Sequence, residues 1–321
     1  MNETTIFILK ALRKVNITVF GRKQKEKPKC ETNPNAIANI IYNAFMQDKP
    51  CMIARYGSTE LSAVLNYLGV KQKNKDILKF IRGETPEWWW NKNILNQMQQ
   101  WSGFFPPTEK LLEQFGELMI EDSKFVDILG SWQSDERLIT TLPKNHIKVQ
   151  REPMNPFFAD RPWTHALESK NVLVVHPFAE SIKQQYKIKD KIFPNGILPN
   201  FNLIVIPAVQ SIGGKCGHFN DWFEALDFMK NAIDSVDYDI CLLGCGAYGF
   251  PLAAHVKRNG KKAFHLGGSL QLLFGIKGAR WEDPNYNSTY NYARLMNEHW
   301  IKPNEKEKPS TAEQVEGACY W

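Results

Sequence analysis

The chain has no long hydrophobic run: nothing in it approaches the roughly 20 apolar residues that a membrane span requires. It also has no CxxC pair, and its six cysteines (Cys30, Cys51, Cys216, Cys241, Cys245 and Cys319) are scattered. Cys241 and Cys245 fall in an expected strand and its turn, an awkward geometry for a closed metal site. Reduced structural thiols in a cytoplasmic protein are therefore expected. HExxH, GxSxG and Walker patterns are all missing, so the commonest motif-borne metalloprotease, esterase and P-loop chemistries find no support. No internal repeat is present. The basic excess is small, with 40 Lys and Arg against 34 Asp and Glu for a net charge of +6, and no dense basic stripe. That balance favours anionic small molecules or an acidic membrane surface and gives no indication of nucleic acid.

What is present is a globular composition. The 43% hydrophobic and 23% charged content over 321 residues exclude a disordered or fibrous chain. Ten Trp and nineteen Phe supply a sizeable core with aromatic surface to spare. The N-terminal segment Ile6 to Lys14, continuing to Val19 and Phe20, alternates apolar and basic residues and lacks a small-residue cleavage site. It reads as an amphipathic helix, docked on its own domain or resting peripherally on the inner face of a membrane. Residues 21–33 are polar and charged and form an expected linker.

The body, 34–300, reads as an α/β domain. Helical periodicity runs from Pro34 to Gln47, a short apolar strand covers Cys51–Ala54, and a helix follows from Thr59 to Leu68. The stretch 84–165 is an aromatic-rich, helical insertion that holds Trp88-Trp89-Trp90 and a helix from Thr108, its cap, to Glu121. Residues 126–130 suit a strand. Beyond 171 the pattern is regular, with strands at 171–175, 203–206, 239–243 and 262–266. Helices are expected between them at 179–192, 219–234 and 250–259. Such alternation predicts right-handed crossovers and a Rossmann-like, mainly parallel sheet flanked by helices. Residues 301–321 form a polar tail with an aromatic end, expected to wrap around the body.

The sharpest pattern is Gly244-Cys245-Gly246-Ala247-Tyr248-Gly249, which follows a strand and opens a helix. Glycines there allow a tight turn and close approach of a phosphate to the helix N-terminus. An NAD site would also place an acid at the end of the next strand, where this chain has His265. No NAD is therefore expected, although an NAD(P)-dependent oxidoreductase stays as an alternative. The second strand-to-helix turn, Arg55-Tyr56-Gly57-Ser58-Thr59-Glu60, has two readings. Arg55 could grip a phosphate and Glu60 act as base or metal ligand, or Ser58 or Thr59 could cap a helix whose first-turn Glu answers the dipole. His176 ends the strand at 171–175, with Glu180 and Lys183 near it in sequence. Gln210-Ser211-Ile212-Gly213-Gly214 forms another loop at the same edge. Asn220 or Asp221 is an expected N-cap, and Trp88–Trp90 suits a sugar-stacking platform, buried packing or a partner interface.

Ile53-Ala54-Arg55-Tyr56-Gly57-Ser58-Thr59-Glu60-Leu61 resembles the Arg-aromatic-Gly-Asp-x-Glu motif of GT-D type glycosyltransferases. Leu243 to Gly249, followed by Gly260-Lys261-Lys262-Ala263 and His265-Leu266-Gly267-Gly268, is similar to that family's closing βαβ unit. The likeness covers about 51–69 and 239–280. It implies transfer of a sugar from a nucleotide-sugar donor to a glycan or glycoconjugate, as in polysaccharide biosynthesis. Arg55, Tyr56, Gly57, Ser58, Gly244, Gly246, Tyr248, Gly249 and His265 would bind the donor, and Glu60 and His176 would serve catalysis. The family's acidic pair is associated with a divalent metal. Here Ser58 replaces the first acid, leaving Glu60 alone for Mg²⁺ or Mn²⁺. The further alternative is a non-catalytic nucleotide-binding protein descended from such an enzyme.

Overall fold

A computed structural model describes residues 1–21, 25–214, 216–309 and 320–321. Its centre is a seven-stranded, all-parallel sheet. The strands are β1 (Cys51–Ala54), β2 (Ile128–Ser131), β3 (Ile147–Gln150), β4 (Asn171–His176), β5 (Asn202–Pro207), β6 (Ile240–Leu243) and β7 (Lys262–His265). They lie in the order β3-β2-β1-β7-β6-β4-β5. The central strands are short apolar runs because both sheet faces are covered. Along each, successive side chains enter opposite cores: Met52 and Ala54 face one layer and Cys51 and Ile53 the other, as Leu173 and Val175 oppose Val172 and Val174. The register pairs Val175 with Leu243 and Leu243 with His265, so the strands end nearly level.

The helices are α1 (Glu3–Phe20), α2 (Pro34–Met46), α3 (Ser58–Lys71), α4 (Ile77–Ile81), α5 (Lys92–Ser102), α6 (Glu109–Ser123), α7 (Ala179–Tyr186), α8 (Lys189–Ile192), α9 (Trp222–Asp234), α10 (Gly249–Arg258) and α11 (Ala279–Glu282). Those that carry the chain towards the β3 edge (α3, α5, α6, α9 and α10) bury residues in one core. Segments that carry it towards β5 bury theirs in the other, namely 151–170, with Trp163 and Leu167, and then α7 and α8. One face for each direction is what a single crossover hand demands. The segment after β7 also turns to the second face, through Leu270, Leu272 and Phe274. The chain therefore leaves β4 and β7 on the opposite side from β1 and β6, which opens a crevice above their carboxyl ends.

Several local details follow the sequence. Thr108 caps α6 by accepting from the Leu111 N–H at 3.3 Å, and Asp221 caps α9 by accepting from Phe223 and Glu224, each at 2.9 Å. The expected helix over 179–192 breaks in two at Lys187–Ile188. The expected helical insertion holds β2 and β3, so 84–165 belongs partly to the sheet. β3 escapes periodicity because it is an edge strand with one fully buried residue, Val149. The described cysteines are free. Burial pushes the Cys51 thiol up to about 12 and raises Cys241 and Cys245 also, which makes these packing residues rather than nucleophiles. Cys319 lies outside the described residues. The described parts of the tail pack on the body: Ile301 bridges to Ile276, and the Trp321 ring lies 6.0 Å from Phe178.

Candidate functional site

A cavity of about 470 Å³ opens at the carboxyl ends of β1, β4, β6 and β7. Its wall includes Arg55, Gly57, Ser58, Glu60, His176, Gly244, Gly246, Tyr248 and His265, so nine of the expected site residues converge from four strands. Tyr56 and Gly249 do not line it. Tyr56 points into the core, where its ring stacks on Phe250 at 4.7 Å and its hydroxyl meets the Ser123 hydroxyl at 2.6 Å. Burial raises its pKa, and what Tyr56 offers the site is a carbonyl that accepts from Trp132 Nε1 at 3.1 Å and Gln133 Nε2 at 3.2 Å.

The β1–α3 turn delivers side chains. α3 is capped by Gly57, with no side-chain hydrogen bond, so neither Ser58 nor Thr59 serves as the expected cap. The Glu60 carboxylate folds back over the Gly57 α-carbon, in space that a Cβ there would fill. Arg55 lies against Gly267, whose φ of +70° and missing side chain admit the guanidinium. Burial depresses the Arg55 pKa, Arg151 and Arg280 add repulsion, and Tyr320 and Glu60 oppose the shift. Three guanidinium groups are thus gathered at one end of the cavity. Arg151 stacks over the Trp132 ring at 4.3 Å and pairs with Glu152, while Arg280 lies 5.0 Å over the Tyr320 ring.

The β6–α10 turn uses its glycines differently. A Cβ at Gly244 would strike His176, and one at Gly249 would fall on the His265 imidazole. Both histidines are almost wholly buried. Burial pushes His176 down to about 3, and its Nδ1 accepts from the Phe178 N–H at 3.0 Å. The ring is therefore neutral with its proton on Nε2, and it enters the cavity as a hydrogen-bond donor rather than a base. Burial, and next the Arg55 charge, hold His265 well below the usual imidazole value, and its Nδ1 has no hydrogen-bond partner among the described residues. Gly246, with φ of +58°, has open space where a side chain would sit. Tyr248 is held by stacking on Trp222 at 4.7 Å and 6°, and its hydroxyl meets Ser211 Oγ at 2.8 Å.

Aromatic faces border the opening. Trp101, Trp132 and Tyr286 line the cavity and are each more than a third exposed. Trp88 and Trp89 are not among them: they pack with Phe80 and Leu9 in a separate small core. Sequence reasoning missed Arg151, Arg280, Trp101, Trp132, Tyr286 and Tyr320, which sit in irregular segments or helix ends and follow no motif. Arg151 directly follows the strand at Ile147–Gln150, but that strand shows no period in the sequence and so its end gave no signal. Glu60 is the one carboxylate on the described cavity wall, and no three His, Cys, Asp or Glu among the described residues are placed to hold a metal. Among the described residues, side chains alone do not make up the oxygen shell that Mg²⁺ or Mn²⁺ takes. Comparison of the chain with protein families, with curated proteins and with solved structures finds no match.

Proposed function

We propose that the protein is a nucleotide-sugar-dependent glycosyltransferase acting on a glycan or glycoconjugate acceptor. The observation that carries this reading is the convergence of Arg55, Arg151 and Arg280 at one end of a cavity whose wall also holds Glu60 and the exposed faces of Trp101, Trp132 and Tyr286. A cavity of about 470 Å³ is the size of a small-ligand site. The three guanidiniums match a diphosphate, which accepts paired N–H donors in the plane of each fork. The aromatic faces suit a base or a sugar ring.

In the reaction, the acceptor oxygen bonds to the anomeric carbon as the bond from that carbon to the diphosphate oxygen breaks. The electron pair leaves on the diphosphate, and the acceptor proton passes to Glu60. Charge grows on the departing phosphate, so the arginines contribute most in the transition state. His176, neutral and donating from Nε2, orients the ligand. Backbone N–H groups beyond Gly244 add to the phosphate cradle.

A thermal-shift panel of UDP-, GDP-, CMP- and dTDP-sugars, with and without Mn²⁺ and alongside NAD(H), tests the reading. One nucleotide-sugar should stabilise the protein, by about 2.7 kcal/mol at a hundredfold excess over its Kd. With the acceptor found, Glu60→Gln should keep that shift and lose roughly 10²–10⁴ in transfer rate. Stabilisation by NAD(H) alone would return the oxidoreductase, and binding of a nucleotide-sugar without turnover on any acceptor would leave a binding protein.

A further inference from the structure

The chain's net charge is unevenly placed. Residues 1–29 hold eight of its basic residues and two of its acidic ones, which accounts for the whole +6. Residues 30–321, with 32 of each sign, are formally neutral. The N-terminal segment is therefore a cationic element attached to a neutral body.

It is also apolar on two sides. The inner side of α1 docks: Leu9, with Ile6, packs against Phe80, Trp88 and Trp89, and the Arg13 guanidinium lies 4.7 Å over the Phe80 ring. The outer side does not. Ile8, Leu12, Val15 and Val19 recur at helical spacing on one stripe, and all are exposed. Phe7 borders that stripe and is 73% exposed. α4, which packs on α1, adds exposed Ile77 and Leu78. Four large aliphatic residues in line on a solvated helix are costly to leave in water, and scattered exposure does not produce such a row. No helix among the described residues is long and apolar enough to cross a membrane.

We propose that this outer face of α1 rests on an anionic lipid surface. The aliphatic stripe enters the interface with exposed Lys14 on its flank, and exposed Lys27 and Lys29 follow α1 in the chain and supply further positive charge. Burial of the stripe and attraction to anionic headgroups are the two contributions such a helix needs, since neither alone holds a peripheral protein firmly. Lys10 serves the docked side instead: its ammonium lies 5.9 Å over the Trp89 ring and 3.7 Å from Glu87. Charge complementarity selects the lipid surface over a second copy of this chain, whose own α1 would carry the same positive charge. The proposal is independent of what the cavity binds.

Co-sedimentation of the full chain with phosphatidylcholine vesicles, with and without phosphatidylglycerol, decides it. Wild type should sediment with the anionic vesicles, weaken as salt rises and ignore the zwitterionic ones. Leu12→Glu/Val15→Glu, both at exposed positions, should bind roughly tenfold or more weakly with an unchanged melting temperature. Should that pair unfold the helix, Lys27→Gln/Lys29→Gln keeps the stripe and should still weaken anionic binding several-fold. Failure of wild type to sediment with anionic vesicles at low salt would overturn the proposal. So would undiminished binding by both variants, or a dimer that the Glu pair dissociates in the absence of any vesicle binding.

Discussion

The two strand-to-helix turns at the sheet's carboxyl edge, β1–α3 and β6–α10, look alike in sequence and do different work. Both follow a buried strand, carry glycine and open a helix. In β1–α3 the single glycine clears space for a charged side chain, so Arg55 and Glu60 reach the cavity. In β6–α10 two of three glycines clear space for buried imidazoles, and only Gly246 faces open volume. A glycine-rich turn therefore has two physical uses, and the motif does not say which. What separates them is the neighbour that would meet the missing Cβ: a flexible, hydrated terminus in one turn, a ring locked by the core in the other.

Substitution at the glycines should break this comparison most sharply. Gly249→Ala places a methyl group on the buried His265 ring, and it should lower unfolding stability by about 3 kcal/mol in denaturant titration. Gly57→Ala meets only the Glu60 carboxylate, which can swing away, so its cost should stay under about 0.5 kcal/mol. Equal losses at both positions would end the distinction. Next in size, Arg55→Ala removes one of the three guanidiniums of the proposed diphosphate site. It should weaken nucleotide-sugar binding by about 2 kcal/mol, roughly thirtyfold, in calorimetry, and leave stability nearly unchanged.

The pH dependence of stability sharpens the other side. His176 is held near pKa 3 in the folded protein and titrates near 6.5 when unfolded. Between those values the unfolded chain binds more protons, so stability is complete above pH 6.5 and falls as pH drops through the window. The slope attributable to this group is about 1.4 kcal/mol per pH unit. His176→Gln should flatten the stability curve between pH 6.5 and pH 4 by that amount, measured as the difference from wild type. An unchanged slope would mean that the ring is solvated.

Much of the fold was legible because its signals are local. Six of the seven strands fall on short apolar runs with Gly, His or Pro at or within three residues of their ends, and the caps Thr108 and Asp221 sit where their hydroxyl and carboxylate predict. β3 was hidden because it is an edge strand, and a strand with one buried residue has no period to read. The site was half legible for the same kind of reason. Arg55, Glu60 and the glycines stand at strand ends, positions that the chain order itself marks. Arg151, Trp132 and Tyr320 reach the cavity from irregular segments and Arg280 from the one-turn helix α11, and only tertiary packing brings Arg280 over Tyr320 or Arg151 over Trp132. The packing role of the first and third motif glycines was not legible at that level, because His176 and His265 are 68 and 16 residues away from them in sequence.

The fit of His265 against Gly249 also has a meaning for inheritance. The two positions share one pocket of space, so they behave as a single character written in two places. A lineage that gained a methyl group at 249 would need to shrink the ring at 265, and one that enlarged 265 could never leave glycine at 249. The orphaned Nδ1 at the centre of that arrangement is therefore shielded from drift by packing alone, whether or not a ligand ever touches it.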